Sequence, residues 1–101
     1  MTVATTSLYA YISLDPQELA TVRDRILATI ERARMPSNAD LERLADIRLS
    51  SVCGRVNELT KEGLVEAGGI KLDPFTKRPV QWWRLTADGR RYFEKIIGGM
   101  A

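Results

Sequence analysis

The chain has 101 residues, 45% of them hydrophobic and 28% charged, a balance that fits one folded domain with a modest core and excludes a disordered polyelectrolyte. With no histidine and a single cysteine, Cys53, it offers neither an internal disulfide nor the usual zinc ligand sets, and no apolar run approaches the roughly 18–20 residues of a membrane span. The net charge is +2 but unevenly spread: residues 1–47 carry five arginines against seven acids, and residues 48–101 carry ten basic residues against six acids.

The start, "MTVATTSLYAYISL", lacks the basic region of a signal peptide, so a cytoplasmic protein with no membrane partner is the expectation. A basic C-terminal half is what a polyanion-binding face produces, and equally what an ordinary solvated surface produces.

Leu8, Ala10, Ile12 and Leu14 alternate with polar or aromatic residues, which predicts a short strand or an extended arm over residues 1–14. "DPQELATVRDRILATIERA" then reads as a first helix, with Asp15 as N-cap, Pro16 at the first helical position and Glu18 as a capping-box acid. Its stripe is Leu19, Val22, Ile26, Ile30 and Ala33, widened by Leu27, and it is expected to run to about Arg34 before Pro36 stops it. "SNADLERLAD" predicts a short second helix capped by Ser37 and Asp40, with Leu41, Leu44 and Ala45 inward.

After the connection "DIRL", Ser50 or Ser51 is expected to cap a third helix whose inward residues are Val52, Val56, Leu59 and Gly63. Two short helices joined by a brief turn make a helix-turn-helix candidate. "GLVEAGGIKL" and "PVQWWRLT" read as strands around the turn-forming tip "DPFTKR". Thr86 then caps a last helix, "ADGRRYFEKII", with Tyr92, Phe93, Ile96 and Ile97 on its apolar face and a flexible tail expected over residues 98–101.

This order resembles the winged helix-turn-helix family. "VNELTKEGLVE" looks like the end of a recognition helix entering a wing strand, and "WWRLTADGRRYFE" looks like the second wing strand entering the following helix of MarR- and PadR-like regulators. The likeness covers roughly residues 15–97, and the joined wording of "LERLAD", "SSVCGRVNEL" and "DPFTKRPVQWWRL" is similar to small phage- and prophage-encoded winged-helix proteins. It implies an α+β, mainly α, fold with a three-helix core, a two-stranded wing and a closing helix. One departure stands out: the turn "ADIRLS" lacks the glycine that many such regulators place before the recognition helix.

At about 100° per residue, Gly54 lies opposite Val52, Val56 and Leu59, on the side that also carries Ser50, Asn57, Glu58 and Lys61. In the family that side enters the major groove, where a missing side chain lets the backbone approach DNA; the alternative is relief of a packing contact, or simple tolerance. Ser50 and Ser51 are candidates for holding a phosphate or merely for capping. Asn57 can pair with adenine and Arg55 with guanine or the backbone, or either can be an ordinary surface residue. Lys61 can neutralise a phosphate. At the wing tip Lys77 and Arg78 suit a backbone or minor groove, with a solvated loop as the alternative, and Lys71 and Arg84 would extend that basic edge.

Trp83 is expected in the core with Leu85, and Trp82 under a helix or at an interface. Cys53 reads as a small, partly buried filler. The function expected is sequence-specific binding of double-stranded DNA as a transcription regulator, with residues 50–62 in the major groove and the wing 71–84 on backbone or minor groove. A homodimer would read two half-sites about one helical turn apart. The alternative is a protein-docking winged helix, such as a phage-encoded inhibitor of a host complex, favoured by the acids Glu58 and Glu62 on the presumed recognition helix. No nucleophile–base pair or phosphate loop suggests an enzyme or a cofactor.

Overall fold

A computed structural model describes residues 21–100, excluding the side chains of residues 97–100. The extended arm over residues 1–14 and the N-terminal signals at Asp15, Pro16, Glu18 and Leu19 lie outside the described residues. Four helices and one hairpin follow in order: α1 (Val22–Arg32), α2 (Asn38–Ala45), α3 (Leu49–Lys61), β1 (Val65–Leu72), β2 (Pro79–Leu85) and α4 (Ala87–Met100).

Helix α1 begins later than its pattern indicated. Thr21 has extended backbone angles, φ −115 and ψ 149, and its hydroxyl accepts the Asp24 N–H, so no single helix spans residues 15–34. The helix ends at Arg32 because Ala33 is again extended. Residues 26–30 are all buried. A helix surrounded in this way is the core of the domain, and α2, α3, β2 and α4 all pack on it.

Helix α2 carries the capping box its sequence announced: the Ser37 hydroxyl accepts the Asp40 N–H, and the Asp40 carboxylate accepts the Ser37 N–H at 3.0 Å. Leu41 and Ala45 are fully buried, whereas Leu44, expected inward, is 49% exposed. Arg25 Nη2 donates to the Ala45 carbonyl at 2.7 Å, tying the C-terminus of α2 to α1. The turn without glycine is closed by Asp46, which adopts the left-handed conformation at φ 55 and ψ 54, a region aspartate enters more readily than most residues.

The third helix starts at Leu49 with Arg48 as N-cap, so neither serine caps it. Glu42 does so from the preceding helix, its Oε2 accepting the Leu49 N–H at 3.1 Å. Val52, Val56 and Leu59 are buried as expected. Gly63 is exposed instead; it sits just past the helix at φ +78, where the chain turns toward the hairpin.

The hairpin is antiparallel, pairing Val65 with Leu85 and Leu72 with Pro79, with a bulge between Ala67 and Gly69. The Trp82 ring lies across this bulge: a Cβ on Gly68 would overlap its six-membered ring. Trp83 packs against the core beside Leu85, donating its backbone N–H to the Pro36 carbonyl at 2.9 Å and its Nε1–H to Asn38 Oδ1 at 2.8 Å. Thr86 caps α4 as expected, accepting the Gly89 N–H at 2.9 Å. Phe93 enters the core, Tyr92 and Ile96 pack against it, and the helix continues to Met100, past the Ile97 where the apolar pattern ends.

An ion pair joins the Trp83–Asn38 bond in fixing the hairpin to α2. Lys71 Nζ lies 2.5 Å from Asp40 Oδ2, and Arg43 lies 3.2 Å from Asp40 Oδ1. Burial acts to raise the Asp40 pKa, but the Lys71 ammonium and the Ser37 N–H outweigh it and hold the carboxyl below the ordinary carboxylate range. A carboxylate with a depressed native pKa contributes stability that is complete above its unfolded value, near 4, and is lost as pH falls through the native value. The melting temperature should therefore hold between about pH 7 and 5 and fall below about pH 4. Asp40→Asn should cost roughly 1.5–3 kcal/mol at neutral pH, the range of hydrogen bonds to charged groups. Melts at several pH values check this, since the gap between wild type and variant must narrow as the solution is acidified.

Candidate nucleic-acid interface

Ser50, Gly54, Asn57 and Lys61 follow one another at spacings of four, three and four residues, which keeps them on a single stripe of α3. Ser50, Ser51, Asn57 and Lys61 are all exposed. Gly54 points outward, because a Cβ built there meets nothing within 4 Å. Relief of a packing contact therefore does not explain the glycine.

Arg55 is half-buried on the flank of the helix, where its Nη2 bonds Glu58 Oε1 at 2.7 Å. Glu62 pairs with Arg23, whose guanidinium also lies 5.4 Å from the centre of the Tyr92 ring. Both acids that would repel phosphate are thus engaged with arginines. Cys53 is exposed, not a buried filler, and its Sγ accepts from Asn38 Nδ2 at 3.5 Å. Asn38 thereby touches both α3 and Trp83 of the hairpin, so helix and wing share one side-chain bridge.

The basic edge expected along the strands is absent. Lys71 is taken up by Asp40, and Arg84 by Glu66 at 3.0 Å. Arg90 and Arg91 pair with Glu31 and Asp88. Among the described residues, the cations left without an ion pair include Arg48 and Lys61 at the two ends of α3 and Lys77 and Arg78 at the hairpin tip; Arg34 and Lys95 are the others exposed in this way. The sequence pattern does not point to Arg48, because it puts the N-cap at Ser50 or Ser51, two or three residues further on. A start at Leu49 puts it at the helix N-terminus, beside N–H groups that favour anions.

The tip itself is built on Asp73, which is buried although it lies in a loop. Its Oδ1 accepts the N–H groups of Phe75 and Thr76 at 2.7 and 3.0 Å, and these two bonds lower its pKa. Asp73 N–H donates to the Arg78 carbonyl and Lys77 N–H to the Asp73 carbonyl, both at 2.9 Å. Lys77 takes the left-handed conformation at φ 61. Lys77 and Arg78 therefore project from a backbone with fixed geometry.

Solved structures with this arrangement exist. Adhesin competence repressor (AdcR) from Streptococcus pyogenes superimposes with a TM-score of 0.64 over 97% of this chain and 68% of its own, at 18% identity. Wild-type MarR in its apo form from E. coli does so with a TM-score of 0.60 over 94% of this chain and 73% of its own, at 19% identity. The fold is a winged helix-turn-helix. In its terms α2 and α3 are the helix-turn-helix and the β1–β2 hairpin is the wing. A cysteine-to-serine mutant of MarR from E. coli complexed with operator DNA matches with a TM-score of 0.60 at 21% identity, over 91% of this chain and 63% of its own. No protein-family model matches the sequence, and no curated protein sequence does. Among the described residues of this winged helix, no helix is long and apolar enough to cross a membrane, and no cluster of three or more acidic or cysteine side chains could hold a metal ion.

Proposed function

We propose that the chain binds double-stranded DNA sequence-specifically and regulates transcription, with α3 in the major groove and the wing on the backbone or minor groove. The observation that carries this is the distribution of unpaired charge: cations at both ends of α3 and at the wing tip are free, while those along the strands are neutralised. Ser50, Gly54 and Asn57 face the bases in this reading, with Ser51 and Arg55 on the flank. Arg48, Lys61, Lys77 and Arg78 hold phosphates. That a winged helix of this shape has been solved in complex with operator DNA supports DNA as the partner, and a homodimer reading two half-sites belongs to the proposal.

A titration of genomic DNA fragments at two salt concentrations tests the proposal. A small set of fragments should be retained above the rest, with an affinity that falls steeply as salt rises, because each neutralised phosphate releases counterions. Equal, weak retention of every fragment would leave a non-specific basic surface. No retention at low salt would turn the same face into a protein-docking surface.

A further inference from the structure

The wing tip carries an apolar feature that phosphate neutralisation does not use. Phe75 is 73% exposed, the most exposed of the large hydrophobic side chains described, on a hairpin whose Ile70 and Leu72 are each 66% exposed. We propose that Phe75 is a wedge that enters the minor groove of bound DNA and unstacks a base step, while Lys77 and Arg78 hold the flanking phosphates. This rests on the DNA-binding reading above and adds to it that the bound duplex is kinked.

Three features support the assignment. First, the ring is held in place: the Phe75 N–H is bonded to Asp73 Oδ1, and the guanidinium of Arg43, itself bonded to Asp40, lies 5.1 Å from the ring centroid. A wedge must be positioned before it inserts, and a side chain on a loop fixed by four hydrogen bonds around Asp73 meets that need. Second, two exposed cations without an ion pair, Lys77 and Arg78, lie two and three residues along the chain, while the Asp73 carboxylate two residues before the ring is buried and satisfied by the Phe75 and Thr76 N–H groups. An exposed aromatic ring beside unpaired cations complements a polyanion whose interior is made of stacked rings. Third, a second copy of the chain is a poorer occupant. A two-fold contact across the tip would bring Lys77 and Arg78 of both copies together, and like charges oppose such a contact.

Phe and Pro side chains that enter the minor groove kink the duplex by roughly 20–90° at flexible steps, among which TA is prominent. The probe is accordingly an alternating dA–dT duplex of about thirty base pairs, in which TA steps recur, with one central adenine replaced by 2-aminopurine and dyes at the two ends. At low salt the wild-type chain should raise the 2-aminopurine fluorescence, which is quenched in the stack, and bring the ends closer. Phe75→Ala should still bind with the same salt slope but leave the fluorescence quenched and the ends apart. Phe75→Leu, which keeps an apolar wedge, should retain most of both signals. Because Phe75 lies outside the core, its variants should melt like the wild type.

Equal signals from wild type and Phe75→Ala would overturn the wedge, as would a wild-type complex that binds without any rise in fluorescence; both leave DNA binding standing. Absence of wild-type binding to this duplex at low salt would overturn the wedge and the DNA reading together. A duplex left straight by the wild type, combined with self-association lost in Phe75→Ala, would overturn the wedge and assign the ring to a second copy.

Discussion

Gly54→Glu is expected to raise the melting temperature slightly and to abolish specific DNA binding. Glycine inside a helix costs about 0.8–1 kcal/mol relative to alanine, and glutamate is close to alanine on that scale. A Cβ at position 54 has nothing within 4 Å, so the new side chain projects into open space without displacing a neighbour. The fold should therefore gain roughly 0.5–1 kcal/mol from the replacement. In the bound state the same side chain would place a carboxylate and the two carbons that carry it between α3 and the groove. That adds repulsion from phosphate to a steric block. Affinity for the best genomic fragment should drop to the non-specific range, roughly 10⁻⁴–10⁻⁶ M, or below it. Thermal melts and binding isotherms on one preparation check both halves. A variant that melts higher and binds DNA undiminished would falsify the placement of this face of α3 against DNA. Gly54→Ala separates the causes, since it restores helix propensity without adding charge.

What the sequence makes legible, and what it hides, follows from the range of each interaction. The capping box at Ser37 and Asp40 spans three residues, and the hairpin strands begin and end where Asp73 and Pro79 punctuate the chain, so both are visible in short windows. The stripe Val52, Val56 and Leu59 is likewise local, and it fixes the outward direction of Gly54 before any tertiary contact is known. The start of α3 is not local. Its first free N–H is satisfied by Glu42, seven residues away on another helix, whereas the capping hydroxyls that a short window shows are those of Ser50 and Ser51. Asp46 hides in the same way, because an aspartate after a helix gives a weaker signal of left-handed backbone than glycine does.

Charge is the least legible property. Lys71 and Arg84 look as basic in the sequence as Lys77 and Arg78, but the first two are neutralised by Asp40 and Glu66. The Lys71–Asp40 pairing spans 31 positions in the chain and exists only because the wing docks on the N-terminus of α2. Trp83 meets Asn38 across 45 positions for the same reason. Docking for Lys71, and strand pairing for Arg84, which sits opposite Glu66, thus decide which cations remain available, and together they concentrate the free charge of the wing at its tip.

The double variant Lys77→Ala with Arg78→Ala is expected to weaken binding to specific and non-specific DNA by similar factors. Neither side chain forms an ion pair among the described residues, and the tip is held by the Asp73 carboxylate and backbone bonds, so the hairpin should keep its shape. What is lost is counterion release. The slope of log affinity against log salt should become shallower by up to roughly 0.9 for each phosphate contact removed, which for two contacts amounts to about 1.8. Asn57→Ala should behave in the opposite way. Its amide is neutral and exposed on the stripe with Gly54, so removing it should lower the preference for the best fragment over a random one by roughly 1–3 kcal/mol and leave the slope unchanged. Isotherms for both variants across a salt series, on one specific and one random duplex, distinguish the two effects. A wing variant that loses preference with its slope intact would mean that the tip reads bases. A wing variant that loses neither would remove Lys77 and Arg78 from the interface altogether, leaving Arg48 and Lys61 at the ends of α3 to account for the attraction to phosphate.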